Sequence, residues 1–102
     1  MERQPAVHIM GSDRNGTLYI GVTSDLIKRV HQHRTKAIDG FTARYNLARL
    51  VWFEMCDTME AAITREKQLK NWRRRWKLEL IETENPRWRD LAADFGFAPL
   101  EK

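Results

Sequence analysis

The apolar and polar positions near the start of the chain fall into two short runs separated by a cluster of turn residues. Residues 6–10, Ala6-Val7-His8-Ile9-Met10, read as a strand. From Leu18 to Val22 the side chains alternate, with Leu18, Ile20 and Val22 on one side and Tyr19 and Gly21 on the other, the period of a strand with one apolar face. Gly11-Ser12-Asp13-Arg14-Asn15-Gly16 lies between them, so the two runs are expected to form a hairpin. Pairing Met10 with Thr17 would set His8 opposite Tyr19, both pointing away from the Leu18/Ile20/Val22 face.

The period then changes to that of helices. Ser24 or Asp25 can cap a helix running to about Ile38, with Leu26, Val30, His33 and Ala37 on one face and Arg29 beside it, one turn before His33. Ala48 to Met55, containing Leu50, Val51, Trp52 and Phe53, reads as a third strand, and Asp57-Thr58 caps the next helix. Met59, Ala62, Ile63 and Lys70 define an inner stripe there, with Glu66 at its centre and Arg65 and Lys67 at its sides. The basic run TREKQLKNWRRRWK and the following LELIE continue helically to Asn85-Pro86. A short last helix spans about Trp88 to Phe95 and stops before Gly96 and Pro99. The expectation is an α/β fold: a small, three-stranded, mainly antiparallel sheet flanked by helices, ordered β-β-α-β-α-α.

Composition narrows the class. A chain of 102 residues with 42% hydrophobic content supports one modest core, hence a single domain over 1–102 with its core at about 6–95. There is no internal repeat or low-complexity tract. The net charge of +4 and pI near 9.6 favour a polyanionic partner. A single cysteine, Cys56, excludes an internal disulfide and a cysteine zinc cluster, and fits a reducing cytoplasm. No run approaches the roughly 20 apolar residues of a membrane span, and MERQPAVHIM lacks the apolar region of a secretion signal, so a cytoplasmic location away from membranes is expected.

Three placements suggest chemistry: His8 and Tyr19 on one strand face, Arg29 with His33 on one helix, and Glu66 on another. A carboxylate that holds a divalent metal, a guanidinium that meets developing negative charge, and an imidazole or phenol that takes a proton suffice for phosphodiester hydrolysis. Each residue also has a plainer role. Glu66 can pair with Lys70 or Arg65, Arg29 can lie solvated, His33 can be a satisfied core histidine, and Tyr19 can simply pack. The basic run with Trp72 and Trp76 can be a solvated helix face over buried aromatics, and His31 reads as surface.

The stretch GTLYIGVTSDLIKRVHQHR resembles the core motif of the GIY-YIG nuclease superfamily, and EAAITREKQLKNWRRRWKLELIETENPRWRDL is similar to its small stand-alone bacterial branch. The likeness covers about residues 6 to 95. It implies a metal-dependent DNA endonuclease with low sequence specificity. Glu66 would ligate a single Mg²⁺ or Mn²⁺, Arg29 would contact the scissile phosphate, Tyr19 and His33 would position or activate water, and Asn85 would support the site. Arg29, His33 and Glu66 would converge from two helices on the sheet face carrying His8 and Tyr19. Arg65, Lys67, Lys70, Arg73, Arg74, Arg75 and Lys77 would hold flanking phosphates of the DNA. One departure stands out: where the first motif normally ends in a tyrosine, this chain has His8, which puts a histidine in place of the tyrosine thought to act as base in several relatives. Two outcomes follow, a working site with an altered pH optimum or a catalytically impaired DNA-binding module. A single site implies nicking, or a homodimer acting on both strands. The remaining rival is an assembly protein whose Trp72, Trp76 and Trp88 bury against another subunit.

Overall fold

The middle strand of the sheet is the first in sequence. In the computed structural model, which describes residues 4–12, 16–35 and 47–100, β1 (Ala6–Gly11) pairs antiparallel with β2 (Leu18–Thr23) on one side and with β3 (Arg49–Met55) on the other. Every β1 residue is buried, because neighbours flank it and helices cover both faces. The expected single apolar face is therefore only half of the arrangement. Val7, Ile9, Ile20, Val51 and Trp52 pack under α2 (Met59–Lys70) and α3 (Arg74–Glu84) through Ala62, Leu69 and Ile81. On the opposite face Ala6, Met10, Leu50 and Tyr19 pack against Leu26 and Val30 of α1 (Leu26–Thr35) and against Ala92 of a 3₁₀ turn at Leu91–Phe95.

The hairpin register differs from the expected one by two residues: His8 pairs with Gly21, and Met10 with Tyr19. Ser12 is the reason. Its N–H donates to the Thr17 carbonyl at 3.2 Å and its hydroxyl accepts from the Thr17 N–H at 3.1 Å, extending the ladder past Met10. An even shift leaves every side chain on its face, so His8 and Tyr19 still share one. Residues 13–15 of the expected turn lie outside the described residues, as do 36–38 of the first helix, including Ala37. A bulge between Ile9 and Met10 places Val51 as an extra residue in β3.

Local chemistry sets the helix starts. Asp25 Oδ1 accepts from the Lys28 N–H at 3.2 Å ahead of α1, and the Thr58 hydroxyl caps α2 by accepting from the Ala61 N–H at 3.0 Å. The long helix expected through Glu84 is two helices. Asn71 caps the first at its C-terminus, and Arg73, with extended backbone at ψ 149°, starts the second. The break lets Trp72 reach the same core as Leu69 and Ile81. The inner stripe of α2 is also rotated from the expected one, with Ala62 and Leu69 buried and Ile63 exposed. The last helix is shorter than expected, confined to Leu91–Phe95, with Asp90 as its N-cap and Gly96, at φ 87°, closing it.

Arg34 ties these layers together. Its guanidinium donates to the carbonyls of Ala48 and Ala98, each at 3.0 Å, and pairs with the Asp90 carboxylate. Asp90 in turn accepts from the Leu50 N–H at 3.2 Å. Among the described residues no helix is long and apolar enough to cross a membrane.

Candidate active site

Strand register and helix periodicity bring three rings together on the α1 side of the sheet. His8 stands in β1, Tyr19 in β2, and His33 descends from α1 on the stripe of Leu26 and Val30. Ring centroids are 5.8 Å apart for His8–His33 and for Tyr19–His33, and 6.4 Å for His8–Tyr19. His8 is 0% exposed and His33 is nearly as buried, yet none of their four ring nitrogens has a hydrogen-bond partner among the described residues. A buried polar atom without a partner costs about 1–3 kcal/mol, and such atoms concentrate at functional sites.

The electrostatics keep both rings neutral. Burial pushes His8 down to about 3, with help from His33 and from the positive charge of Arg29. Burial and Arg29 together lower His33 to about 4. Neutral imidazoles keep a lone pair, so each can accept a hydrogen bond at neutral pH, while burial and Arg29 hold down their basicity. Arg29, one turn before His33 on α1, is partly buried, and its side chain forms no hydrogen bond or ion pair with a described residue.

Gly21 makes this packing possible. A methyl built on its Cα would lie 2.9 Å from Tyr19 Cε2 and 3.0 and 3.2 Å from His8 Cε1 and Nε2. The glycine thus makes room for the two rings that cross it. Gly21→Ala is expected to destabilise the domain by about 1–3 kcal/mol, because His8 in the middle strand has nowhere to retreat. Gly11→Ala is the control, since its nearest neighbour would be 3.5 Å away, and urea unfolding of the two variants makes the comparison.

Glu66 stands apart from these rings. It projects from α2, on the opposite face of the sheet from α1, in line with Ala62 and Leu69; its side chain is 16% exposed and pairs with Lys70 Nζ at 3.4 Å. Among the described residues no hydrogen bond or ion pair links it to the ring cluster. Among the described residues β2 is an edge of the sheet, and there Leu18, Tyr19 and Ile20 line one cleft with Lys70 and Lys77. A neighbouring cleft of Gly16, Thr17, Leu18, Arg74 and Lys77 continues along that edge, with Arg74 donating to the Gly16 carbonyl at 2.6 Å. Among the described residues no three His, Cys, Asp or Glu side chains gather as a metal cage. Glu66 offers one half-buried carboxylate, a donor that would suit an Mg²⁺-like ion that keeps most of its water and takes further oxygens from a phosphate.

The other basic residues separate into groups. Arg65 turns to the far side, paired with Glu54 at 3.4 Å and lying over the rings of Trp52 and Trp72. Lys67 and Arg75 are exposed, and Arg73 lies over Trp76. Sequence reasoning grouped all seven on one helix and so missed that Lys70 and Lys77 meet at Tyr19. The signal was Asn71, a residue common where helices end. Asn85 is buried and fully engaged: its amide donates to the carbonyls of Val51 at 3.1 Å and Arg89 at 2.9 Å, and its side-chain oxygen accepts from the Arg89 N–H at 3.1 Å. It fastens β3 to the turn in which Trp88 adopts a φ of 54°. Trp88 is buried in the chain's own core and donates to Glu82 at 2.9 Å.

Comparison with known proteins identifies the family. The model of the GIY-YIG catalytic domain matches residues 4–79. A UPF0213 protein of Haloquadratum walsbyi is 36% identical over 66 residues, 65% of this chain and 74% of its own length. UPF0213 proteins of Staphylococcus saprophyticus and Syntrophus aciditrophicus are 35% and 36% identical, over 67% and 69% of this chain and 83% and 80% of their own lengths. No solved structure gives a significant match.

Proposed function

The chain belongs to the GIY-YIG catalytic-domain family, and from that premise we propose that it is a metal-dependent DNA endonuclease that hydrolyses phosphodiester bonds. The observation that carries the reading is the packing of His8, Tyr19 and His33 beside Arg29, with four buried imidazole nitrogens that the described residues leave unpaired. A packing role alone gives no reason to place two histidines there, since apolar side chains of similar size avoid the desolvation.

In this reading Arg29 binds the scissile phosphate and meets the negative charge that builds up during attack. Tyr19, the partly exposed ring of the three, orients the water, and His33 or His8 accepts its proton once the negative charge of the bound phosphate offsets the Arg29 charge that holds imidazole basicity down. Glu66 would hold one Mg²⁺ or Mn²⁺, which would supply Lewis-acid charge at the phosphate. Lys70, Arg74 and Lys77 follow the backbone along the edge of β2, contacts that carry little sequence information. Asn85 acts at a distance by holding β3 in place.

The test is cleavage of supercoiled plasmid with Mg²⁺ or Mn²⁺ against a chelator control, over about pH 6 to 9. Metal-dependent nicking is expected. If neither the parent nor His8→Tyr nicks under any of these conditions, the catalytic reading is lost for duplex DNA, and binding that weakens steeply with salt would then identify an impaired DNA-binding module.

A further inference from the structure

The corner between α2 and α3 carries aromatic surface that the catalytic reading does not use. Trp76 is 42% exposed, the ring of Trp72 meets it edge to face at 6.3 Å and 87°, and the Arg73 guanidinium lies 5.7 Å from the centre of the Trp76 ring. Together with Glu79, Leu80 and Thr83 the two indoles line an open cleft of about 270 Å³, with room for one flat ring system. At 100° per residue, the order around α3 runs from Trp76 to Leu80, then Arg73 and Lys77, and then buried Ile81. Arg73 and Lys77 therefore stand between the aromatic cleft and the basic groove along β2, which Lys77 also lines.

An exposed tryptophan bordered by cations is suited to an anionic chain that presents flat rings. A nucleic-acid strand has this character, and the faces of its bases are available only where they are unpaired. We propose that Trp76, with Trp72 and Arg73, forms a stacking site for one unpaired nucleobase, so that the preferred substrate carries single-stranded nucleotides beside the cut. The proposal rests on the nucleic-acid reading above and adds the structure of the substrate to it. Glu79 and Thr83 supply acceptors at the rim of the cleft for a base N–H.

The test is binding by the full chain in excess chelator, so that no cleavage intervenes, followed by fluorescence anisotropy. The probes are a labelled oligothymidylate, a blunt duplex of equal length, and an abasic strand with the same number of phosphates. Trp76→Ala is expected to weaken oligothymidylate binding about tenfold and to leave duplex binding nearly unchanged, with Trp76→Phe recovering most of the loss. The abasic strand should bind the parent about as weakly as oligothymidylate binds the variant. Equal losses for strand and duplex, or no loss for either, would overturn the stacking site while leaving the nuclease reading intact. Strand binding that is unaffected while sedimentation shows a parent dimer becoming monomeric in Trp76→Ala would assign Trp76 to a subunit contact and overturn it as well. If the parent binds none of the probes at low salt, the nucleic-acid reading fails and the stacking site fails with it.

Discussion

Glu66→Gln is expected to lower metal-dependent nicking by at least about a thousandfold while leaving stability almost unchanged. The two effects separate because of where the carboxylate sits. Its partner in the fold is Lys70, an exposed lysine one turn away at 3.4 Å, and ion pairs of that kind contribute only about 0.3–0.5 kcal/mol. Glutamine keeps the shape and some hydrogen bonding to Lys70, but it replaces an anionic oxygen with a neutral carbonyl that a divalent ion binds weakly. A purely structural Glu66 would therefore leave nicking unaffected. The measurements are plasmid nicking rates over a Mn²⁺ titration, with urea unfolding of the same samples. A variant that nicks within about tenfold of the parent at every metal concentration would remove Glu66 from the chemistry.

Acid should unfold this domain earlier than its carboxylates alone would require, through the two buried histidines. Both have folded-state values far below the ordinary 6.5, at about 3 for His8 and about 4 for His33, so between those values and 6.5 the unfolded chain binds more protons than the folded one. Stability from these groups is fully present above pH 6.5 and is lost progressively as the pH falls toward 3. His8 alone accounts for about 2 kcal/mol of loss by pH 5, and His33 adds to it in the same direction. In a domain with a typical total of about 5–15 kcal/mol, that is enough to move the urea midpoint visibly between pH 7 and pH 5. The groups around His8 do not reverse the sign: Arg29 and a protonated His33 both repel a proton there. His8→Phe is expected to flatten the profile whatever it does to stability at pH 7. A parent profile with no slope between pH 7 and pH 5 would mean that the two rings are not held neutral.

Much of this arrangement could be read from the chain because it depends on local signals. The alternation in Leu18–Val22, the caps at Asp25 and Thr58, and the one-turn spacing of Arg29 and His33 act over a few residues, and each appears in the folded structure. The register slipped because Ser12 reads as a turn residue in sequence, whereas its hydroxyl adds a rung to the ladder. The helix break at Asn71–Arg73 was hidden for a different reason. Asn71 is a residue common at helix ends but does not forbid a continuous helix through KQLKNWRRRWK, and the turn is favoured by the burial that Trp72 gains against the core. Trp88 could not be placed from sequence either, since a bulky residue at positive φ goes against local preference and is held by the hydrogen bonds of Asn85. At the site, the ring cluster was legible because it follows strand and helix periods. The position of Glu66 on the far side of the sheet from α1 was not, because it depends on which face each helix covers.

The place of β1 in the middle of the sheet sets the order in which the molecule can be completed as it leaves the ribosome. Its first partner, β2, follows at once, so the hairpin is available early. The other side of β1 stays open until Met55, the partner of Ala6, has been made, and closing that span costs loop entropy that no local contact repays. Until then the apolar middle strand is an exposed edge of the kind that pairs with other chains. C-terminal truncations that stop before β3 should therefore yield aggregating fragments, and the smallest fragment able to give His8 both of its strand neighbours must extend through Phe53.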